Sequence, residues 1–107
     1  MNSNFIPLSA EELIAKIKKI PRVNLALLPT VLEFAPNISK ELNINLYIKR
    51  DDCTALAFGG NKTRHLEFIM AKTISGDYDC ILTGASSQSN FCRQAAAAAN
   101  KLNLESY

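Results

Sequence analysis

Apolar and polar residues alternate along the chain in a pattern that predicts strands and helices in turn. Short apolar runs favour strands at residues 46–48 and 80–83, and a third strand is expected to begin at Leu104. Between these strands, apolar residues at helical spacing predict two helices, at about residues 61–76 and 89–102. Strands that alternate with helices predict an α/β fold, here a partial parallel sheet with right-handed crossover helices.

Cap residues and prolines predict where the other helices begin and end. Ser9 and Glu12 have the spacing of a capping box, in which each side chain binds the other's backbone amide, and Pro21 is expected to end this helix. Its apolar stripe predicts that the helix packs against the rest of the fold. A short helix is expected at residues 38–42, with Asn43 in the left-handed conformation behind it.

The same patterns predict which surfaces are buried. The helix at residues 61–76 is expected to bury one face through four apolar residues, which are Leu66, Ile69, Met70 and Ile74. The run at residues 80–83 is typical of a strand that is covered on both faces.

Composition and charge favour one small globular domain. The chain has 107 residues, of which 48% are hydrophobic and 21% charged, and its net charge is +2. Because the basic residues are scattered and no run of about 18 apolar residues occurs, we expect neither nucleic-acid binding nor a membrane span.

Residues 1–7 lack the pattern of a signal peptide. Cys53, Cys80 and Cys92 fit neither a disulfide framework nor a zinc site, which favours the cytoplasm and no bound metal.

The loop that ends at residues 59–62, with the sequence GGNK, is the first candidate for chemistry. Two glycines permit close approach of a ligand, and Lys62 falls in the first turn of a helix. A cation there opposes the helix dipole, so partial desolvation would favour the neutral amine that a nucleophilic lysine needs. An ordinary turn with Lys62 in solvent remains an alternative. A P-loop is excluded, because Asn61 stands before the lysine where glycine is required.

The second candidate loop, residues 84–90, joins the strand at 80–83 to the following helix. Both loops would lie at the edge of a parallel sheet where open α/β proteins bind their ligands. Small polar residues at a helix start offer free amides and hydroxyls to a carboxylate or a phosphate. An ordinary serine N-cap is the alternative at this position.

Three separated motifs resemble the D-cysteine desulfhydrase and 1-aminocyclopropane-1-carboxylate deaminase family. The motifs are residues 48–52 (IKRDD), 59–67 (GGNKTRHLE) and 88–90 (QSN), and they occur in the family's order. The family consists of pyridoxal-phosphate enzymes with a tryptophan-synthase-β-like fold. The resemblance covers about residues 28–104 and implies that residues 1–107 are the amino-terminal portion of such an enzyme.

The resemblance implies roles for four residues. Lys62 matches the lysine that binds the cofactor covalently as a Schiff base, and it is the one catalytic residue implied. Asn90 matches the asparagine that hydrogen-bonds the ring hydroxyl of the cofactor, and Asn61 matches a polar neighbour of the cofactor. Ser89, together with Asn90, matches the residues that receive the substrate carboxylate.

Three positions and one absence depart from the family. Asn103 stands in the capping position behind the helix at residues 89–102, where the family commonly has glycine. His65 stands where the family often has lysine and is expected to be a surface residue. Phe91 stands where histidine or glutamine is usual, next to the substrate carboxylate. The glycine-rich phosphate loop and the catalytic tyrosine of the family come later in its sequence and do not occur here. The 107-residue chain alone is therefore expected to be truncated and inactive.

For the complete enzyme, the resemblance implies β-elimination from a small amino acid, D-cysteine, to pyruvate, ammonia and sulfide. It also implies that the enzyme is a homodimer. Deamination of 1-aminocyclopropane-1-carboxylate is one alternative, and a degenerate product without catalysis is another. The serine-rich loop at residues 86–90 favours the desulfhydrase branch.

Overall fold

The computed structural model describes residues 7–107. The expectation that residues 1–7 are not a signal peptide therefore falls almost entirely outside the described residues. In chain order the elements are α1 (Ala10–Ile17), β1 (Leu32–Phe34), α2 (Pro36–Leu42), β2 (Tyr47–Lys49), α3 (Lys62–Ser75), β3 (Cys80–Ile81), α4 (Asn90–Lys101) and β4 (Glu105–Ser106). Two single-turn 3-10 helices lie between β2 and α3, at Asp51–Cys53 and Leu56–Phe58.

Most helix boundaries follow the predicted caps. The hydroxyl of Ser9 accepts the Glu12 amide at 3.2 Å and the Glu12 carboxylate accepts the Ser9 amide at 2.8 Å, which completes the capping box. Asn43 and Asn103 adopt the left-handed conformation with φ of 53° and 56°. Pro36 begins α2, two residues before the predicted start, because the first helical turn leaves its amides unpaired and tolerates proline.

The strands form two separate two-stranded sheets within residues 7–107. β3 and β4 pair in parallel and α4 connects them, which confirms the predicted strand–helix–strand unit. The strand predicted at residues 46–48, observed as β2, instead pairs with β1 in antiparallel. Its predicted place in the parallel sheet is wrong. The three-residue β1, which the pattern does not predict, supplies a nearer partner, with the rings of Phe34 and Tyr47 5.2 Å apart.

The core lies where α3 packs on α4. Leu66 and Met70 of α3 are buried against Ala95 and Ala98 of α4, and Leu25 closes one side of the cluster. Alanine side chains are short, so they allow the two helix backbones to approach closely. The core therefore fixes the relative position of the two helices whose first residues were singled out in the sequence.

Two predictions of burial are wrong. Ile69 and Ile74 are 44% and 47% exposed, and Leu82, in the run predicted to be covered on both faces, is 79% exposed. Polar side chains share the buried face of α3 with Leu66 and Met70, and they are Thr63, Glu67 and Thr73. Each of the three is hydrogen-bonded, which offsets the cost of taking a polar group out of water.

The carboxylate of Glu67 fixes the segment before β1 onto α3. One of its oxygens accepts the amides of Leu25 and Ala26, both at 2.9 Å, and the other accepts Nε of Arg22 at 2.6 Å. Removing this buried carboxylate would leave three hydrogen-bond donors without partners. The stability lost in this way is larger than the net contribution of the ion pair between Arg22 and Glu67. Glu67 is therefore a structural residue of the described fold.

The first helix does not meet its predicted role within residues 7–107. α1 has no buried residue, and its apolar stripe is about half exposed at Leu13, Ile14, Ile17 and Ile20. No helix in the described part of the chain is both long enough and apolar enough to cross a membrane.

Residues 1–107 expressed alone are expected to associate with one another and to melt without a sharp transition. Leu27, Val31 and Leu82 are between 63% and 79% exposed, and large apolar side chains exposed to this extent promote association. The sheets also have unpaired edges. Size-exclusion chromatography and thermal melting test this expectation. Leu82→Lys with Val31→Lys should shift the elution towards monomer, whereas a monomeric wild-type chain with a cooperative melt would contradict the expectation.

Candidate functional site

Two helix starts carry all four residues that the sequence singles out. Lys62 is the first residue of α3, and Asn61 precedes it as an N-cap whose side chain makes no capping hydrogen bond. Asn90 is the first residue of α4, and the hydroxyl of the N-cap Ser89 accepts the Cys92 amide at 3.4 Å. The first turn of each helix has unpaired backbone amides, so both sites favour polar or anionic groups.

A buried glutamine joins the two helix starts. Gln94 of α4 is 0% exposed, and its Oε1 accepts the Thr63 amide at 2.8 Å and the Thr63 hydroxyl at 2.6 Å. Its Nε2 donates to the Asn90 carbonyl oxygen at 3.0 Å. One carboxamide therefore connects the residue after Lys62 to Asn90, and the structure brings the two predicted sites together.

The loop before Lys62 has an uncommon backbone. Ala57, Phe58, Gly59 and Gly60 are consecutive residues with positive φ, of 47°, 66°, 75° and 138°. Only glycine adopts such conformations without strain, and strained backbone of this kind concentrates at functional sites. The hydroxyl of Thr54 holds the loop, because it accepts the Gly60 amide at 2.9 Å and donates to the Gly60 carbonyl at 2.8 Å.

Arg93 holds the same loop from α4. Its guanidinium donates to the carbonyl oxygens of Ala57 and Gly59, the latter at 3.3 Å. It also lies 5.9 Å from the centroid of the Phe58 ring, a cation–π distance. Phe58 is 94% exposed, so the loop presents an aromatic ring to solvent.

An ion pair anchors the first turn of α3 to the end of β2. Nε and one terminal nitrogen of Arg64 donate to the two oxygens of Asp51, at 2.6 Å and 2.7 Å, and Thr30 donates to the same carboxylate at 2.9 Å. The hydrogen bonds from Arg64 hold the pKa of the Asp51 carboxyl below its ordinary value, although burial opposes this shift. The same pairing raises the pKa of Arg64. Both groups therefore stay charged, and the ion pair holds the first turn of α3 in a fixed position.

The side chains that could act on a ligand are accessible. Lys62 is half-buried, and no hydrogen bond or ion pair reaches its amine within residues 7–107. The side chains of Asn61 and Asn90 are exposed. A primary amine can attack a carbonyl carbon, and a carboxamide can bind a hydroxyl or a carboxylate.

Two of the departures from the resemblance have different structural settings. His65 is exposed on α3, as predicted. Phe91 is half-buried and packs against the core between α3 and α4, so its ring is part of the packing of the helix start. Within the described part of the chain, no group of three or more His, Cys, Asp or Glu side chains is arranged to hold a metal ion.

Sequence reasoning missed the residues that support the site. Gln94 lies in the run NFCRQAAAAANK, where an isolated glutamine before alanines is typical of a solvated helix face. Thr54 and Thr63 are also completely buried. The one available signal is helical spacing, which places Gln94 one turn after Asn90 and on the side of α4 that carries Ala95 and Ala98.

Known proteins are similar to this chain in sequence and in fold. A D-cysteine desulfhydrase of Salmonella paratyphi B and another of Salmonella newport are each 46% identical to the chain over 88 residues, which is 82% of this chain and 27% of theirs. The chain thus spans about a quarter of the length of these curated relatives. A crystal structure described as an ACC deaminase homologue matches 88% of this chain and 29% of its own, at 39% identity and a TM-score of 0.83. The sequence model of the family described as "Pyridoxal-phosphate dependent enzyme" matches residues 23–107, and the chain belongs to this family.

Proposed function

We propose that residues 1–107 are the amino-terminal portion of a longer pyridoxal-phosphate lyase that converts D-cysteine and water to pyruvate, ammonia and sulfide. The curated relatives at 46% identity are named D-cysteine desulfhydrases, which supports this substrate over others. Because the chain spans 27% of their length, the activity is proposed for the longer protein and not for these residues alone.

The observation that carries the proposal is that hydrogen bonds of Gln94 connect the start of α3 to the start of α4. Pyridoxal phosphate has an aldehyde, which requires a primary amine, and a ring hydroxyl, which requires a hydrogen-bond partner. Lys62 supplies a half-buried amine, and Asn90 and Asn61 supply exposed carboxamides. The residues present therefore fit the cofactor, which supplies an electron sink for the bonds at the substrate Cα when it is bound.

Each of the four residues has a defined task in this proposal. Lys62 would hold the cofactor covalently through its amine, and the same amine could carry a proton to or from the substrate. Asn90 binds the ring hydroxyl and orients the cofactor, and Asn61 borders it. The hydroxyl of Ser89 accepts the Cys92 amide, so its own hydrogen is free to donate to a substrate carboxylate, beside Asn90 and the amides of α4.

The complete protein should be assayed with D-cysteine, L-cysteine and 1-aminocyclopropane-1-carboxylate in parallel. Sulfide and pyruvate in equal amounts from D-cysteine alone would support the proposal. Formation of 2-oxobutyrate from the cyclopropane substrate without sulfide from D-cysteine would contradict it.

Deamination of 1-aminocyclopropane-1-carboxylate is the second candidate. The structural neighbour described as an ACC deaminase homologue favours it, at a TM-score of 0.83. The third outcome of the assay, no product from any substrate by a protein that has bound the cofactor, would favour a degenerate member without catalysis.

The assembly and the compartment are part of the same proposal. We expect the complete enzyme to be a homodimer in the cytoplasm, in which the free thiols of Cys53, Cys80 and Cys92 stay reduced. Light scattering of the complete protein measures the assembly, and a monomer at micromolar concentration would contradict it.

Asn90→Ala is expected to shift the visible absorbance of the bound cofactor and to weaken its binding. The substitution removes the partner of a ring oxygen, and a hydrogen bond to a charged group contributes about 1.5–3 kcal/mol. A spectrophotometric titration with pyridoxal phosphate measures both effects. Asn100→Ala is the matched control, because Asn100 is an exposed residue in the last turns of the same helix. An unchanged spectrum and affinity in Asn90→Ala would exclude the role.

A further inference from the structure

We infer that Gln94 is a positioning residue, whose buried carboxamide sets the place of the Lys62 amine relative to Asn90. This inference rests on the proposed function, because Lys62 and Asn90 have their tasks there. Gln94 itself is 0% exposed, so it would act through the residues that it binds.

The first step concerns the start of α3. Helices begin with amides that lack a partner inside the helix, and a side chain at the N-cap usually binds one of them. Asn61, at the N-cap of α3, makes no such bond. Oε1 of Gln94 takes its place from another helix, because it accepts the Thr63 amide at 2.8 Å. The backbone immediately after Lys62 is therefore held by α4.

The second step concerns the other end of the carboxamide. Nε2 of Gln94 donates to the carbonyl oxygen of Asn90 at 3.0 Å. An amide group is planar and rigid, so a partner on its oxygen and a partner on its nitrogen are held at a fixed separation. Since the group is fully buried, water does not replace either bond easily.

The third step concerns the space around the carboxamide. A Cβ atom built on Gly60 would lie less than 3.0 Å from Nε2 of Gln94 and 3.1 Å from its carboxamide carbon. The glycine thus allows the loop before Lys62 to close directly over the carboxamide. A supporting group packed this tightly transmits small displacements, and a misplacement of about 1 Å can lower a rate by about 100-fold.

Gln94→Met tests the inference in the complete protein, because methionine has a similar length and makes none of the three hydrogen bonds of the carboxamide. Two readouts are decisive. The first is the rate at which pyridoxal phosphate attaches to Lys62 in the cofactor-free protein, trapped with borohydride and located by peptide mass spectrometry. The second is the split between kcat and KM for the substrate. We expect attachment to slow by about tenfold or more, and kcat to fall by about 100-fold with a much smaller change in KM.

Thr73→Val is the matched control for a merely structural role. Thr73 is buried in α3, the helix that begins at Lys62, and lies towards its other end. Its hydroxyl donates to the Ile69 carbonyl at 3.0 Å. The Thr73→Val substitution should lower the melting temperature without changing the attachment rate or kcat. Thr63→Val, which removes one of the two bonds to Oε1 of Gln94, decides the question if Gln94→Met does not fold, and it should slow attachment severalfold.

The outcomes separate this inference from the proposed function. A wild-type protein that attaches pyridoxal phosphate at Lys62, with equal rates in Gln94→Met, would overturn the inference and leave the proposed function standing. Equal slowing in Gln94→Met and Thr73→Val would also overturn it, because the effect would then be one of stability. Failure of the wild-type protein to attach the cofactor at Lys62 would overturn both.

Discussion

Lys62→Ala is expected to abolish covalent attachment of pyridoxal phosphate and to lower kcat/KM of the complete protein by at least about 1,000-fold. The residue is the first of α3, half-buried, with an amine that no described side chain binds. In the proposed function, alanine removes the one amine that would both anchor the cofactor and carry a proton. Borohydride reduction followed by peptide mapping measures the attachment, and the sulfide assay measures the rate.

Lys72→Ala is the matched control for this substitution. Lys72 lies in the last turn of the same helix and is exposed, so it tests whether any α3 lysine is labelled. It should keep the cofactor and the rate of the wild-type protein. Recovery of the label on Lys49 or Lys72, with Lys62 unmodified, would contradict the assignment of Lys62.

The sequence predicts well where several helices begin or end, because the signals for these boundaries are local. The capping box at Ser9 and Glu12 and the left-handed Asn43 and Asn103 depend on residues within one turn of each other, and all four appear as predicted. The starts of α3 and α4 follow in the same way. The fold class and the family were accessible for a related reason, since the motifs that carry them are short and contiguous.

The strand pairing of β2 could not be predicted from local pattern. β1 has three residues, Leu32, Glu33 and Phe34, between two prolines, which is too short to show alternation. Its pairing with β2 is fixed by contacts between residues about 15 positions apart, such as Phe34 with Tyr47. Such pairings depend on the whole chain and override local preference.

The apolar pattern predicts the buried face of α3 incorrectly, because polar residues occupy part of that face. Apolar spacing favours Ile69 and Ile74, yet Thr63, Glu67 and Thr73 are buried in their place. A polar residue can be buried when a hydrogen-bond partner is available. Gln94 and Arg22 are such partners for Thr63 and Glu67, and Thr73 donates to the Ile69 carbonyl of its own helix. The supporting part of the candidate site is therefore a product of the packing between α3 and α4, which no single helix pattern contains.

Gly59→Ala is expected to destabilise the protein by about 3 kcal/mol or more, through two independent effects. Gly59 has φ of 75° and ψ of 175°, a backbone region that is essentially restricted to glycine. A Cβ atom at this position would also lie less than 3.0 Å from the carbonyl oxygen of Asp52, and 2.8 Å from the carbonyl carbon. Because the obstacle is backbone, no side-chain rotation relieves it, and the loop that Thr54 and Arg93 hold in place must shift.

Gly84→Ala is the control, because a Cβ atom there meets no atom within 4 Å and the residue does not require a positive φ. Its free energy of unfolding should change by less than about 0.5 kcal/mol, as is usual for surface substitutions. Denaturant unfolding of both variants of the complete protein measures the difference. Gly59→Ala should also slow the attachment of pyridoxal phosphate to Lys62, since Gly59 lies three residues before it in the same strained loop. Equal stability of the two variants would show that the loop can take another conformation, and that the positive φ values at residues 57–60 are not required for the fold.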